Sequence, residues 1–490
     1  MGALPRHRLL VAVVGVGLLL RAAMVVALPH PLLTFIDANV YVRAAQDGLF
    51  LPLEGRTAGY PLFLRALHGV SASVDLPILA QHGVALVACG GLYAVARRLG
   101  LGAALAVIPA ALWALPVDWL WLEHQLLTET VAMALAVAAV AAATVVPVAS
   151  VRAATAIGIA CALLTVAAGA ARPALLVIAP GMALTLALVA PRPVWRWRAA
   201  AAGVAAYAVA ATVLAVTYVA VQERQTGFRG LIAPSLKMGA YVGMAPIADC
   251  ARFDVPAGTQ SLCEDVPPEQ RMGTDYYYFD PASPGRRLLR KSPALQPAID
   301  EWGRRSAEAQ AGDLRREHIS AFGRLFGLGG RVRPGYDYGP REMRLDGADR
   351  RSAPVTVDAV GAYYGAAAAR VPEPRWPYEA LQVLQPWTRP PRVLLLAALL
   401  ITLAGAVLGR GLTRRAALAL GTVAWLPLLY ATYTGGQFYT SIPSGAFLWR
   451  YTLPSMPFVG LAAATAAQSL AHRRRPPGRW CEPEVPRRSR

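Results

Sequence analysis

The sequence has few charged residues for its length. Only 16% of its 490 residues are Asp, Glu, Lys or Arg, whereas soluble domains carry about a quarter. Several uncharged apolar runs instead reach the roughly 20 residues that cross a bilayer as a helix, and the mean hydropathy is +0.41. A wholly soluble protein is therefore excluded, and the sequence predicts a mostly α-helical, polytopic membrane protein.

Motifs for nucleotide and metal chemistry are also missing. The sequence contains no CxxC or HExxH spacing, no GxxxxGK[ST] loop and no GxGxxG after a strand, which are the patterns that hold zinc or cradle phosphates. A nucleotide-driven machine is therefore disfavoured, and no cofactor is predicted. Glu123, His124 and Glu129 could together hold a divalent cation, but their spacing is not diagnostic.

Acidic residues are scarce outside one segment of the chain. Of the 29 Asp and Glu residues, 20 fall between residues 222 and 392, although the net charge of the whole chain is +19. Elsewhere arginine clusters separate the apolar runs, as in Arg97-Arg98, Arg410/Arg414/Arg415 and Arg473-Arg474-Arg475. This distribution is typical of the positive-inside rule, and it explains the basic charge without a nucleic-acid partner.

The apolar runs predict ten transmembrane helices. If the N-terminus is cytoplasmic, every strong arginine cluster falls on the cytoplasmic side, and all acids except Glu482 and Glu484 fall outside. The prediction is a multi-pass protein of the cytoplasmic membrane with both termini inside. The runs lie at about 8–28, 77–96, 101–117, 126–148, 153–171, 174–190, 199–221, 393–409, 416–433 and 451–471.

This threading divides the chain into four parts. Residues 1–221 form an N-terminal transmembrane module of about seven spans with a long first outer loop at 29–76, and residues 393–472 form a C-terminal module of about three spans. Residues 222–392 predict a small extracytoplasmic domain of mixed, loop-rich structure, and residues 473–490 a basic cytoplasmic tail. Cys250 and Cys263 fall in the extracytoplasmic domain, where oxidising conditions permit a disulfide.

The segment FIDANVYVRAAQDG, residues 35–48, begins the polar part of the first outer loop. Asp is a preferred helix N-cap and Gly a preferred stop, so Asp37 could cap a short helix that ends before Gly48. A carboxylate at the membrane boundary could equally take the proton from a sugar hydroxyl, and a positioned base contributes roughly 10²–10⁴-fold in rate. The two roles of Asp37 are compatible.

Basic and aromatic residues on the predicted outer side are candidates for substrate binding. Guanidinium groups bind phosphate oxygens bidentately and would stabilise the charge of a departing phosphate. The alternative is that an arginine at the end of a span only reaches toward the lipid headgroups. The phosphate candidates are Arg56, Arg172 and Arg450, and the other candidates are Tyr41, Tyr60, His124, Glu129 and Tyr451.

Four short segments resemble the GT-C membrane glycosyltransferases, the class that includes the bacterial aminoarabinose transferase and the protein O-mannosyltransferases. They are FIDANVY at 35–41, R-x-x-G-Y-P at 56–61, LLTET at 126–130 and RYTLP at 450–454. The resemblance is best over residues 30–135, weak in the C-terminal spans and nearly absent in 222–392. Many members carry two adjacent acids in the first loop, whereas Asp37 stands alone.

The resemblance implies a GT-C-like fold, a polyprenyl-phosphate-linked sugar as donor and Asp37 as catalytic base. The sequence therefore predicts an inverting, metal-independent transferase that passes a sugar to a glycan, lipid or protein acceptor outside the membrane. The alternatives are a transporter or flippase of lipid-linked glycans and a non-catalytic assembly partner. Transporters commonly show internal repeats and polar groups at midspan, and segments such as VAMALAVAAVAAATVV have no ionisable residue.

Overall fold

The protein is almost entirely helical. The structure, a computed structural model, describes residues 7–34, 36–50, 56–145, 150–189, 196–227, 229–230, 238–328, 345, 354–370, 373–435 and 452–473. These residues contain no β-strand, and Leu32 and Gln125 make an isolated parallel bridge. The prediction of a mostly α-helical protein is confirmed.

The helices up to residue 230 alternate between long apolar helices and short helices in their connections. They are α1 (Arg8–Ala27), α2 (Ile36–Asp47), α3 (Gly59–His68), α4 (Asp75–Arg98), α5 (Ala103–Ala106), α6 (Ile108–Ala114), α7 (Val117–Glu123), α8 (Glu129–Val145), α9 (Val151–Ala171), α10 (Ala179–Leu188) and α11 (Arg196–Thr226). A 3-10 turn, Pro173–Ile178, precedes α10.

The remaining helices are short until residue 392 and long after it. They are α12 (Gly239–Met244), α13 (Thr274–Phe279), α14 (Pro284–Lys291), α15 (Gln296–Ala309), α16 (Ala311–Leu325), α17 (Pro354–Tyr364), α18 (Tyr378–Thr388), α19 (Arg392–Leu408), α20 (Gly411–Gly435) and α21 (Met456–Arg473).

Four of the described helices, α1, α4, α9 and α11, are long and apolar enough to cross a bilayer on their own. Two bent pairs raise the number to as many as six: α5–α6 with α7, bent by 49°, and α18 with α19, bent by 43°. A multi-pass membrane protein is therefore supported, but ten spans are not confirmed. The predicted span 101–117 is divided among three helices, and Pro116, which is extended, separates α6 from α7.

The bundle has two chemically different ends. At one end, which we call the acidic end, the chain after α1 meets the end of α7, because Leu32 N–H donates to His124 O at 2.9 Å. His30 contacts Asp75 at the start of α4 in the same region. At the other end, the arginine end, Gln468 in α21 donates to Gly100 O at 2.7 Å. Acids and arginine clusters thus separate in space as they do in the predicted topology.

Close packing between helices depends on small residues. A Cβ atom added to Gly158 in α9 would lie 2.2 Å from the carbonyl oxygen of Gly203 in α11. Without side chains at these positions the two backbones can approach closely, as is common between membrane helices. The helix α9 also packs on α8, and α4 packs on α8 from the other side. These helices carry the connections that meet at the acidic end.

The described part of 222–392 is shared between two hydrophobic cores. Residues 238–314 enclose their own core around Tyr241, Tyr277 and Trp302, and Cys250 and Cys263 are joined by a disulfide at its edge. Residues 354–388 instead pack on the N-terminal module, with α17 against α2 and α18 against α1 and α7. The described residues are helices and loops, so a mixed domain is not confirmed.

Candidate functional site

Asp37 forms an ion pair with Arg56. Both residues lie in the chain between α1 and α4, which we call the first connection. The helix α2 runs from Ile36 to Asp47 and is followed by Gly48, whose N–H donates to Ala44 O, so the predicted short helix is confirmed. Asp37 lies in its first turn rather than at the N-cap position, where its charge still favours the helix dipole. Its side chain is 20% exposed and that of Arg56 is 40% exposed, so both groups remain accessible to solvent.

Glu129 and Arg172 form a second and more buried ion pair at the same end. The helix α9 ends at Ala171, since Arg172 is extended before Pro173. Arg172 Nη1 lies 2.8 Å from Glu129 Oε1, with side-chain exposures of 11% and 1%, and it donates to Thr128 Oγ1 at 3.3 Å. Glu129 begins α8, where a negative charge is favourable. The pair therefore fixes α8 relative to the end of α9.

Gly59 brings the segments that carry the two pairs into backbone contact. It begins α3, three residues after Arg56, and packs against the end of α9. A Cβ atom added to Gly59 would lie 2.5 Å from Ala170 C and from Ala171 N. Ala171 precedes Arg172, so the glycine of the R-x-x-G-Y-P segment is required by this close approach.

Tyr60 is completely buried beside both pairs. Its ring meets Tyr41 edge-on, with centroids 5.2 Å apart. Burial first, and then the neighbouring Tyr364, Glu129 and Tyr41, raises the pKa of Tyr60 well above its ordinary value. The hydroxyl therefore keeps its proton, and it donates this proton to Gln81 Oε1 at 2.9 Å. In this structure Tyr60 therefore contributes to the packing beneath the site.

The helix α17 covers the first connection from the other side. The rings of His68 in α3 and Tyr363 in α17 stack with centroids 4.3 Å apart, and Tyr364 meets His68 edge-on at 5.3 Å. The same helix packs on α2, which carries Asp37. Part of the predicted extracytoplasmic segment thus contributes a wall to the candidate site.

A buried polar network lies beneath this site. It is not among the features predicted from the sequence. Arg21 in α1 donates to Glu123 Oε1 at 2.7 Å, with both side chains almost inaccessible to solvent. Glu123 Oε2 contacts His82 Nδ1 at 2.8 Å, and Trp113 Nε1 donates to Oε1 at 3.3 Å. The signal in the sequence was an arginine within an apolar run, which requires a partner in a membrane protein.

The hydrogen positions in the network follow from its acceptors. His124 Nε2 faces two carbonyl oxygens, Leu28 O at 2.8 Å and His30 O at 3.1 Å, so Nε2 carries a hydrogen. Burial lowers the pKa of His124 to about 3, so its Nδ1 is an unprotonated acceptor at neutral pH. His82 Nε2, 3.3 Å away, therefore donates to it, and His82 Nδ1 faces Glu123 Oε2.

A third buried acid connects α7 to α18. Asp118 is completely buried, and both of its oxygens accept from Arg389, at 2.7 and 2.8 Å. Gln385 Nε2 also donates to Asp118 Oδ1 at 2.8 Å. A bidentate contact of this kind fixes distance and orientation together. It holds α18 on α7 of the N-terminal module.

The structure brings together most of the candidates, but in different roles. Asp37, Tyr41, Tyr60, Arg56, Glu129 and Arg172 meet at the acidic end, whereas His124 is buried within the network below them. Arg450 and Tyr451 lie outside the described residues. Among the described residues no group of three or more His, Cys, Asp or Glu side chains forms a metal-binding cluster. Glu123, His124 and Glu129 each have separate partners.

These features define a helical membrane protein with a polar, carboxylate- and arginine-containing site at one end of its bundle. No protein-family model matches the sequence. No curated protein matches it either. Among solved structures, the chain is similar to the crystal structure of ArnT from Cupriavidus metallidurans bound to undecaprenyl phosphate, with 13% identity and a TM-score of 0.33 over 96% of this chain and 79% of that one.

Proposed function

We propose that the chain is an inverting glycosyltransferase that uses a polyprenyl-phosphate-linked sugar as donor. The observation that carries the proposal is that the Asp37–Arg56 and Glu129–Arg172 ion pairs lie on segments that Gly59 and Ala171 bring into contact at one end of the bundle. Transfer from a phosphate ester needs a base for the acceptor and cations for the leaving group. The exposed pair offers one of each, and the FIDANVY, R-x-x-G-Y-P and LLTET segments that resemble GT-C enzymes supply three of the four residues.

In the proposed reaction Asp37 removes the proton from an acceptor hydroxyl. The hydroxyl oxygen forms the new bond to the anomeric carbon as the bond from that carbon to the phosphate oxygen breaks. The electron pair leaves with the polyprenyl phosphate, which gains one negative charge. A single displacement of this kind inverts the configuration at the anomeric carbon, and arginine side chains at the departing phosphate stabilise the charge that develops.

Arg56 has two roles in this proposal. Before substrate binds, it neutralises Asp37, and an ion-paired carboxylate is a weaker base than a free one. The donor phosphate competes for the same guanidinium, because arginine binds phosphate bidentately. When Arg56 moves to the phosphate, Asp37 is released as a base in the presence of donor. The partial exposure of both side chains leaves room for this exchange.

Arg172 is more constrained than Arg56. Its contact with buried Glu129 fixes the guanidinium, while its remaining 11% exposure lets one edge face a ligand. We assign it the outer oxygens of the donor phosphate and assign Tyr41 and Glu129 the sugar. By resemblance, Arg450 and Tyr451 complete the phosphate and sugar contacts. The acceptor is a glycan, lipid or protein.

The site is proposed to face outward from the cytoplasmic membrane. With the arginine end in the cytoplasm, the positive-inside rule is satisfied and the acidic end is extracytoplasmic. A carboxylate base with arginine cations can catalyse the transfer without a metal ion. This orientation places the reaction on the side where lipid-linked sugars meet envelope acceptors.

The proposal is tested by incubating the purified protein in proteoliposomes with synthetic polyprenyl-phosphate sugars that differ in the sugar. We expect free polyprenyl phosphate and glycosylated acceptor to appear together, in equal amounts, with at least one sugar. The alternative flippase predicts movement of an intact fluorescent lipid-linked sugar between leaflets without cleavage of the phosphate bond. Intact transfer between leaflets, with no phosphate released from any donor, would contradict the enzyme proposal.

A further inference from the structure

The helix α18 exposes an apolar face and turns polar side chains toward the protein. A helix on the surface of a soluble protein usually does the opposite. Tyr378, Leu381 and Gln385 face the protein. The opposite stripe consists of Ala380, Val383, Leu384 and Trp387, spaced at i, i+3, i+4 and i+7, and all four are exposed. Such spacing places them on one side of the helix. The face turned away from the protein is thus apolar except for Glu379 in the first turn, which is also exposed.

The exposure of this face is large. Val383 is 67% exposed and Trp387 is 84% exposed, and Trp376, just before the helix, is also 84% exposed. Contiguous apolar surface of this kind marks a contact with another molecule or with a membrane. Two tryptophans, one before and one near the end of an eleven-residue helix, give the surface an aromatic group at each end.

Its polar face is held by specific contacts. Tyr378 Oη donates to Leu345 O, and Gln385 donates to Asp118 Oδ1 at 2.8 Å. Arg389 then forms its bidentate contact with Asp118. These bonds fix the rotation of α18, so the apolar stripe cannot turn inward to be covered by the protein beneath it.

The apolar surface continues into a candidate span. The helix α19 begins at Arg392 after a bend of 43°, and the two helices together are long and apolar enough to cross a membrane. Val393 and Leu394, at the start of α19, are exposed by 62% and 55%. The apolar stripe on α18 therefore continues into the exposed apolar surface of α19. On that side the polar side chains between the two surfaces are Arg389 and Arg392. Arginine side chains at such a position reach toward lipid phosphates.

We propose that α18 is a membrane-surface helix, with Ala380, Val383, Leu384 and Trp387 inserted into the interfacial region of the leaflet at the acidic end. Amphipathic helices in this position bury their apolar face at the boundary between headgroups and acyl chains, and tryptophan is enriched at that depth. The occupant of the exposed face is the phospholipid bilayer. The docked helix packs on α1 and α7 at the acidic end.

The test uses spin labels on single cysteines in the full-length chain. Cys89, Cys161 and Cys481 are replaced by Ala while the Cys250–Cys263 disulfide is kept. Labels are attached to Val383→Cys and, separately, to Leu384→Cys in vesicles of phosphatidylcholine and phosphatidylglycerol. Val209→Cys on α11, 64% exposed on a candidate span, serves as the lipid reference. Glu308→Cys on α15, whose side chain is 63% exposed, serves as the aqueous reference.

Collisions with oxygen report lipid, and collisions with a water-soluble nickel chelate report water. At Val383 and Leu384 we expect an oxygen-to-nickel accessibility ratio several-fold above that at Glu308 and a depth shallower than that at Val209. Nickel accessibility equal to that at Glu308 would overturn the proposal by placing the stripe in water. Low accessibility to both reagents at both positions would also overturn it, because the face would then be covered by protein, such as a second copy of the chain.

Discussion

Gly59 and Ala171 are in backbone contact, although Gly59 lies in the predicted first outer loop and Ala171 at the end of the predicted span 153–171. A Cβ atom on Gly59 would come within 2.5 Å of Ala171 N and Ala170 C, a distance that side chains essentially never show. The contact joins the connection that carries Asp37 and Arg56 to the end of α9, where Arg172 binds Glu129. The distance between the two ion pairs is therefore set by a position that only glycine fits.

The first prediction concerns this contact. Gly59→Ala forces α3 away from α9, because the atoms that it meets belong to the backbone and cannot rotate aside. Overpacking of this kind costs about 1–3 kcal/mol, so we expect a lower melting temperature in detergent and loss of transfer activity. Gly90→Ala in α4 is the matched control, since nothing lies within 4 Å of its Cβ position. An unchanged melting temperature for Gly59→Ala would show that α3 does not pack as described.

The second prediction separates the two ion pairs by their burial. Arg172→Ala leaves the carboxylate of Glu129 buried without its cation, and breaking a buried pair costs about 3–5 kcal/mol. Arg56→Ala removes an exposed pair, which is worth about 0.2–1 kcal/mol. Unfolding of the purified variants measures both, and Arg172→Ala should be much the less stable. Equal losses for the two variants would contradict the difference in exposure between the pairs.

The third prediction concerns pH. Burial lowers the pKa of His124 in the folded protein to about 3, whereas an unfolded histidine titrates near about 6.5. Between these values the unfolded state binds a proton that the folded state does not. The free energy of unfolding should therefore decrease as pH falls below about 6.5, by up to about 1.4 kcal/mol per pH unit from this group.

His124→Gln provides the comparison for the pH dependence. Its amide can still donate to Leu28 O but does not titrate, so the slope of melting temperature against pH between 6.5 and 5 should be smaller than in the unaltered protein. Measurement of both proteins in the same buffers removes the contributions of the other histidines. Identical slopes would mean that His124 is not buried in its neutral form.

The fourth prediction concerns the contact between Asp118 and Arg389. Asp118→Asn removes the charge that binds the guanidinium bidentately, so α18 should separate more often from α7. Hydrogen–deuterium exchange should become faster in residues 378–388 and stay unchanged in residues 238–314, which have a separate core. Equal exchange in Asp118→Asn and in the unaltered protein across residues 378–388 would show that Asp118 does not hold α18.

The sequence was most informative where local chemistry determines structure. The helix that ends before Gly48 and the pairing partners Cys250 and Cys263 could be identified from residue types and spacing. The collection of Asp37, Asp75 and Glu129 at one end of the bundle follows from the alternation of apolar runs. In each case the determining residues are close in the chain or are constrained by the membrane.

The missing features depend on contacts between distant segments. Arg21 and Glu123 are 102 positions apart, and Asp118 and Arg389 are 271 apart, so no local pattern links them. In the sequence the ionisable residues Arg21 and His82 and the polar Gln81 also lie within apolar runs, where their hydrophobic neighbours hide them. Their partners become evident only when α1, α4 and α7 are packed together.

The proposed chemistry is tested most directly at Asp37. Asp37→Asn keeps the size of the side chain and removes the base, whereas Asp47→Asn makes the same change at the exposed end of the same helix. Release of polyprenyl phosphate from the active synthetic donor is measured for both purified, folded variants. We expect Asp37→Asn to lose at least about 10²-fold in turnover and Asp47→Asn to retain the unaltered rate. Near-normal turnover by folded Asp37→Asn would contradict its assignment as the catalytic base.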